Sequence, residues 1–201
     1  LDVATGELAA DTDPIQVVSN SYGYSDMDND GWDYLSQVVA VLMNFWAPYQ
    51  QYTFSTGNGG PGFGTAAPPS PVTAVLVGAS TEFSATGWDS ITSTAQINVN
   101  DVIPFSNRGP GANGHTGVNV VASGAYAPGD EALNYYGMAM WGRPDGTLCW
   151  DSWGGTSRSS PVAAGVLALI YDAWFQTTDQ WPEGAAAKVV LQSTATDLKY
   201  D

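Results

Sequence analysis

Apolar and polar positions change their period several times along the chain, and each change predicts an element. Ile15–Ser19 ("IQVVS") is a short apolar run of the kind that forms a buried strand. Tyr34–Phe45 ("YLSQVVAVLMNF") instead repeats its apolar residues at helical spacing, with Leu35, Val38, Val39, Leu42 and Phe45 on one face. Tyr52–Ser55 and Ala74–Val77 read as further strands, and after a polar, Ser/Thr-rich stretch come Pro104–Ser106 and Val118–Ala122. Ser159–Phe175 is apolar almost without interruption, which predicts a buried helix. Glu183–Ser193 reads as a last helix, with Pro182 suited to its first turn. Strands alternating with helices indicate an α/β domain with a largely parallel central sheet flanked by helices.

Composition narrows this picture. The 201 residues are 44% hydrophobic, enough for the core of one domain, and show no internal repeat. Twenty acidic residues against five Lys and Arg give a net charge of -15, which repels phosphates and anionic membrane surfaces and argues against a nucleic-acid partner. Yet charged residues are only 12% of the chain, so Ser, Thr, Asn, Gln, Gly and Tyr must cover the surface. That balance suits an extracellular or cell-surface protein, and an acidic setting in particular. Cys149 stands alone, so no disulfide can form within these residues, and a free thiol of this kind packs as a small hydrophobe. No run approaches the ~18 apolar residues of a membrane span. The start Leu1-Asp2-Val3 has neither Met nor a signal pattern, as expected of a mature, processed or excised chain.

The strongest candidate chemistry lies in "GGTSRSSPVAAG", Gly154–Gly165. Ser157 sits where an apolar helix begins, so it reads either as a helix N-cap or as a nucleophile. The whole string, with Gly-Thr-Ser followed by Ser-Ser-Pro and small residues, resembles the nucleophile motif of the subtilisin-like serine proteases, the subtilases. "STGNGGPGFGT" (Ser55–Thr65) resembles the segment of that family carrying the oxyanion-hole asparagine, which implies that role for Asn58. "VVSNSYG" (Val17–Gly23) is similar to the family's strand that runs into the substrate groove. The resemblance therefore implies that Ser21, Tyr22 and Gly23 line the groove, with Gly57 near the primary specificity pocket and Thr156 beside the nucleophile. "VLVGAS", "PFSNRGPG" and "LQSTATDL" also resemble subtilase segments in family order, so the likeness covers most of the chain. It implies a subtilisin-like three-layer fold, of which residues 1–201 are the C-terminal part of the catalytic domain, decorated by insertions at about 83–100 and 124–150.

Several departures qualify the resemblance. Arg158 stands where many relatives have Met, and Val162 where many have His. Arg158 reads either as a leaving-group-side cation favouring acidic substrate residues or as a solvent-facing helix residue. The upstream Asp and His motifs of a subtilase are missing. Asp11 and Asp13 lack the expected setting, and His115 ("GANGHTGVNV") falls downstream of Asn58 and reads as a polar loop residue. The related sedolisins use Glu as base, but they place Asp where this chain has Asn58, so the subtilisin type fits better. Separately, "DMDNDG" gives Asp26, Asp28 and Asp30 the spacing of a calcium loop. Its twelfth position is Gln37 rather than Glu, and such acids also favour a helix N-terminus without metal.

The resulting expectation is a serine endopeptidase that cleaves polypeptides through an acyl-enzyme on Ser157, with Asn58 in the oxyanion hole. The Asp and His would come from the N-terminal part of the same catalytic domain, outside this chain. No cofactor is required for the chemistry, and a structural calcium ion is compatible with it. The competing reading is a catalytically inactive domain serving as a binding or structural module of a surface assembly. A weaker third reading, ester hydrolysis by Ser157 and His115, predicts activity from this chain alone.

Overall fold

The computed structural model describes residues 15–24, 28–81, 101–124, 127–130 and 150–198. Four strands, β1 (Val17–Asn20), β2 (Gln51–Ser55), β3 (Val75–Ser80) and β4 (Val120–Ser123), form one sheet in the order β1-β2-β3-β4. All three pairings are parallel, and the first runs from Val17 opposite Gln51 to Asn20 opposite Phe54. Helix α1 (Tyr34–Val41) continues into a π-turn over Leu42–Trp46; α2 spans Thr156–Thr178 and α3 spans Gly184–Thr194. Strands β5 (Ala127–Asp130) and β6 (Trp150–Trp153) pair antiparallel and return the chain from the end of β4 to the start of α2.

The two-residue period of β2 and β3 sorts their side chains into two cores. Val75 and Val77 turn to α2 and α3, meeting Ala163, Leu167, Tyr171, Ala187 and Leu191. Leu76 and Phe54 turn the other way, with Ala74, to Val39 and Met43 of the first helical segment. Helices on both faces of a parallel sheet make three layers, as the resemblance implied. Each fully buried aliphatic or aromatic side chain contributes about 1.5–3 kcal/mol to this packing.

Helix boundaries and faces differ in places from the expectation. The first helix gives way to the π-turn after Val41, and Phe45 ends 78% exposed because the wider turn rotates it off the apolar face. The start of this helix at Tyr34 is as expected and is capped by Asp33, whose carboxylate accepts hydrogen bonds from the Ser36 N–H and hydroxyl. Pro104–Ser106 is a turn closed by the Ser106 N–H to Ile103 O at 2.9 Å, not a strand. The expected buried helix starts three residues early and is buried on one side only. Val162, Val166 and Leu169 point away from the sheet, Leu169 with 70% exposure. The insertions expected at about 83–100 and 124–150, and Cys149, lie largely outside the described residues; 127–130 of the second belong to β5.

Candidate functional site

Parallel strands end together, and the loops leaving the carboxyl ends of β1 and β2 meet the first turn of α2 there. The joint is polar. Ser160 Oγ donates to Asn20 O (3.0 Å) and lies 2.9 Å from Thr53 Oγ1, while Ser21 Oγ donates to Ser157 O at 2.9 Å. Ser160 is fully buried, so its bonds seat this turn by direction, whereas the buried Ser159 Oγ has no partner among the described residues.

Ser157 is the second residue of α2, so it is not the N-cap; that position belongs to Gly155, whose φ of +107° is a glycine conformation. A Cβ on Gly155 would come within 3.0 Å of Asn58 Nδ2, which adds a second reason for glycine. The Ser157 N–H belongs to the helix's first turn, where no intrahelical carbonyl is available. Neither that N–H nor Ser157 Oγ has a hydrogen-bond partner among the described residues.

Asn58 is oriented by Thr156. The Thr156 N–H and hydroxyl both donate to Asn58 Oδ1, at 2.8 and 2.9 Å, and the Gly57 N–H donates to Thr156 Oγ1 at 3.1 Å. With its oxygen taken twice, the amide presents Nδ2, which has no partner among the described residues, as its free donor. Gly57, at φ +99°, makes this turn feasible.

These groups open on one cleft of about 650 Å³. Ser157, Asn58, Thr156 and Gly57 form part of its wall, and Ser21, Tyr22 and Gly23 form another part. Every site residue expected to touch substrate is thus brought to the same cavity. Ladder pairing of β1 with β2 ends at Asn20, so the backbone of Ser21–Gly23 leaves the sheet alongside the cleft. Tyr22 packs edge-on against Phe54 with ring centroids 6.0 Å apart. Ala66, Ala67 and Pro68 supply an apolar stretch of wall. Among the described residues, the one carboxylate lining the cleft is Asp28, and no Lys or Arg lines it.

Three other sequence candidates lie elsewhere or are differently engaged. Arg158 neither lines the cleft nor points to solvent: it turns to the end of β4 and donates to Ser123 Oγ at 3.0 Å. His115 is also absent from the cleft wall. Its Nδ1 lies 2.6 Å from Asn113 Oδ1, and its buried Nε2 has no partner among the described residues. Burial holds the imidazole below its usual pKa, opposed by Asp30 and reinforced by Lys188. Of the calcium-loop acids, Asp26 falls outside the described residues, and Asp28 is exposed at the cleft. Asp30 Oδ1 accepts the Trp32 N–H at 2.8 Å. Among the described residues, no three His, Cys, Asp or Glu side chains gather as a metal site.

Sequence reasoning gave no role to Asn107. This residue is 6% exposed and binds the Asn58 turn through both side-chain atoms, donating to Thr56 O at 2.7 Å and accepting from Gly59 N at 2.6 Å. The only hint in the sequence is its place in "PFSNRGPG", because bonds between segments 50 residues apart have no periodicity to betray them.

Comparison with known proteins agrees with this architecture. A family model described as the subtilase family matches residues 2–201. Tripeptidyl-peptidase 2 of Caenorhabditis elegans is 28% identical over 149 residues, which make up 74% of this chain and 10% of that protein. A solved psychrophilic protease shares 24% identity at a TM-score of 0.57, over 89% of this chain and 48% of that one. Sphericase shares 19% at a TM-score of 0.59, over 92% and 51% respectively. At these identities the two structures establish the fold. The chain spans about half the length of both solved structures and a tenth of the nematode protein.

Proposed function

The chain belongs to the subtilase family, and from that premise we propose that it is the serine-bearing part of a serine endopeptidase. Ser157 Oγ attacks the scissile carbonyl carbon while a histidine base from outside these residues takes its proton. The carbonyl oxygen becomes an oxyanion held by Asn58 Nδ2–H and the Ser157 N–H. Collapse of that intermediate breaks the C–N bond, and the departing amine takes the proton back from the histidine. An aspartate, also from outside, orients the histidine, and water then hydrolyses the acyl-enzyme. An extended polypeptide lies along Ser21–Gly23, where backbone groups freed from the ladder offer main-chain hydrogen bonds.

The observation that carries this reading is a trio of groups beside one cleft that have no partner among the described residues: Ser157 Oγ, Ser157 N–H and Asn58 Nδ2. Donors held in place before charge develops stabilise the transition state more than the substrate. That the rest of a catalytic domain completes the site is supported by α2. A helix apolar all round belongs in an interior, yet Val162, Val166 and Leu169 are exposed here, as expected of a helix whose outer side another layer covers.

Labelling with a fluorophosphonate probe, followed by mass mapping, tests the proposal on the full-length parent protein. Label on Ser157 that is lost in Ser157→Ala, together with a turnover loss of about 10⁶-fold, the size a subtilisin shows on losing its serine, supports it. Absence of label in the folded parent protein would overturn it in favour of an inactive binding module.

A further inference from the structure

We propose that Asn107 is a positioning residue for this site, holding the Thr56–Gly59 turn so that Asn58 keeps its free amide hydrogen on the cleft. The inference rests on the oxyanion role proposed for Asn58. Three hydrogen bonds from Asn107 straddle that residue: its Nδ2 donates to Thr56 O (2.7 Å), its backbone N–H donates to Gly57 O (3.0 Å), and its Oδ1 accepts from Gly59 N (2.6 Å). The turn needs such a clamp. Glycines at 57, 59 and 60 give it more backbone freedom than any other residue type would. Fit is close as well, since a Cβ on Gly57 would lie 2.3 Å from Asn107 Nδ2.

The residue type follows from the bonds. One side chain must accept on one branch and donate on the other, which a short carboxamide does. Aspartate accepts from Gly59 but turns a second acceptor on Thr56 O, and alanine makes neither bond. Asn107 borders the cleft, yet both of its amide atoms are already engaged within the protein. One Nδ2 N–H on Thr56 O and Oδ1 under the Gly59 N–H fix the amide against the turn, so Asn107 acts through Asn58. Thr156 holds the Asn58 side chain from the α2 side, whereas Asn107 holds the backbone on either side of it from the opposite segment. A donor displaced by even about 1 Å loses much of its effect on a developing charge.

A double-mutant cycle in the full-length parent protease tests this, with kcat and KM measured on one peptide substrate for Asn107→Asp, Asn58→Ala and the pair. Asn107→Asp is expected to lower kcat about 10- to 100-fold with KM changed less than about 2-fold. In the Asn58→Ala background the same substitution should cost less than about 2-fold, because nothing remains to be positioned. Equal losses in both backgrounds would overturn the inference while leaving the oxyanion role standing. An unchanged kcat in Asn58→Ala would instead remove that role, and the inference with it. Should Asn107→Asp fail to fold, amide exchange of the wild-type protein decides the matter. Gly59 is exposed, so slow exchange of its N–H requires the Asn107 bond, and exchange at the rate of a free amide overturns the proposal.

Discussion

The first turn of α2 and the turns after it lie on the same sheet but are held there by different means. From Thr156 to Ser160 the helix is fastened by hydrogen bonds to Asn58, Gly57, Ser21, Asn20 and Thr53. From Ala163 to Tyr171 it is fastened by burial against Val75 and Val77. Hydrogen bonds fix direction but net only about 1 kcal/mol each. Apolar burial is worth more and specifies orientation less. The two halves therefore divide the work: the apolar turns supply stability, and the polar turn holds Ser157 and Asn58 in a defined relation.

This contrast predicts that activity and stability can be separated by substitution. Asn58→Ala, in the full-length parent protein, is expected to lower kcat by roughly 100- to 1,000-fold, a magnitude measured on a subtilisin, while the two bonds lost by buried Thr156 lower the unfolding free energy in urea by only about 1–2 kcal/mol. Loss of stability of the same size would break the comparison. Leu167→Ala, at a site of 0% exposure, should do the reverse: about 3 kcal/mol lower unfolding free energy in urea, and kcat of the folded fraction unchanged. A smaller effect is expected from Thr53→Val, which removes the hydroxyl 2.9 Å from Ser160 Oγ but leaves that serine its bond to Asn20 O. It should cost about 1 kcal/mol, read from the same urea titration, and reduce kcat modestly by loosening the first turn.

One further effect sharpens the comparison on the apolar side, where Lys188 of α3 is the exception. Its ammonium donates to Val72 O at 2.8 Å and Ala74 O at 2.6 Å, and burial lowers its pKa from 10.5 to about 8. Between these values the unfolded chain holds a proton that the folded chain has released. Stability should therefore rise as pH increases from about 8 to 10.5. Lys188→Met should flatten that rise in urea midpoints measured across the window, and an unaltered profile would assign it to other groups.

Much of the cleft was legible before the fold was known. Ser157, Asn58 and Ser21–Gly23 belong to local strings whose residue types suit their local backbone, and the structure brings them to one cavity. The positive φ of Gly155 and Gly57 is also a local demand that glycine meets, but it took the structure to locate it. The four strands of the parallel sheet and the three helices were legible from period, within a few residues, whereas β5 and β6 were not and Pro104–Ser106 proved a turn. Less readable were properties set by distant neighbours. Arg158 adjoins Ser157 in sequence, yet its side chain runs to Ser123, because a long flexible side chain goes where β4 happens to end. Phe45 has the right spacing for the apolar face and loses it to a π-turn.

By itself the sequence determined what short-range physics controls: the alternation of strand and helix and a serine at the head of an apolar helix. Only the tertiary structure decided which face of α2 is buried, that Thr156 turns the Asn58 amide nitrogen toward the cleft, and that Asn107 grips the turn from 50 residues away. The reason is that periodicity and backbone preference act within a few residues. Hydrogen-bond partners between loops depend instead on how the sheet brings separate strand ends together, and no local pattern in the chain encodes that meeting.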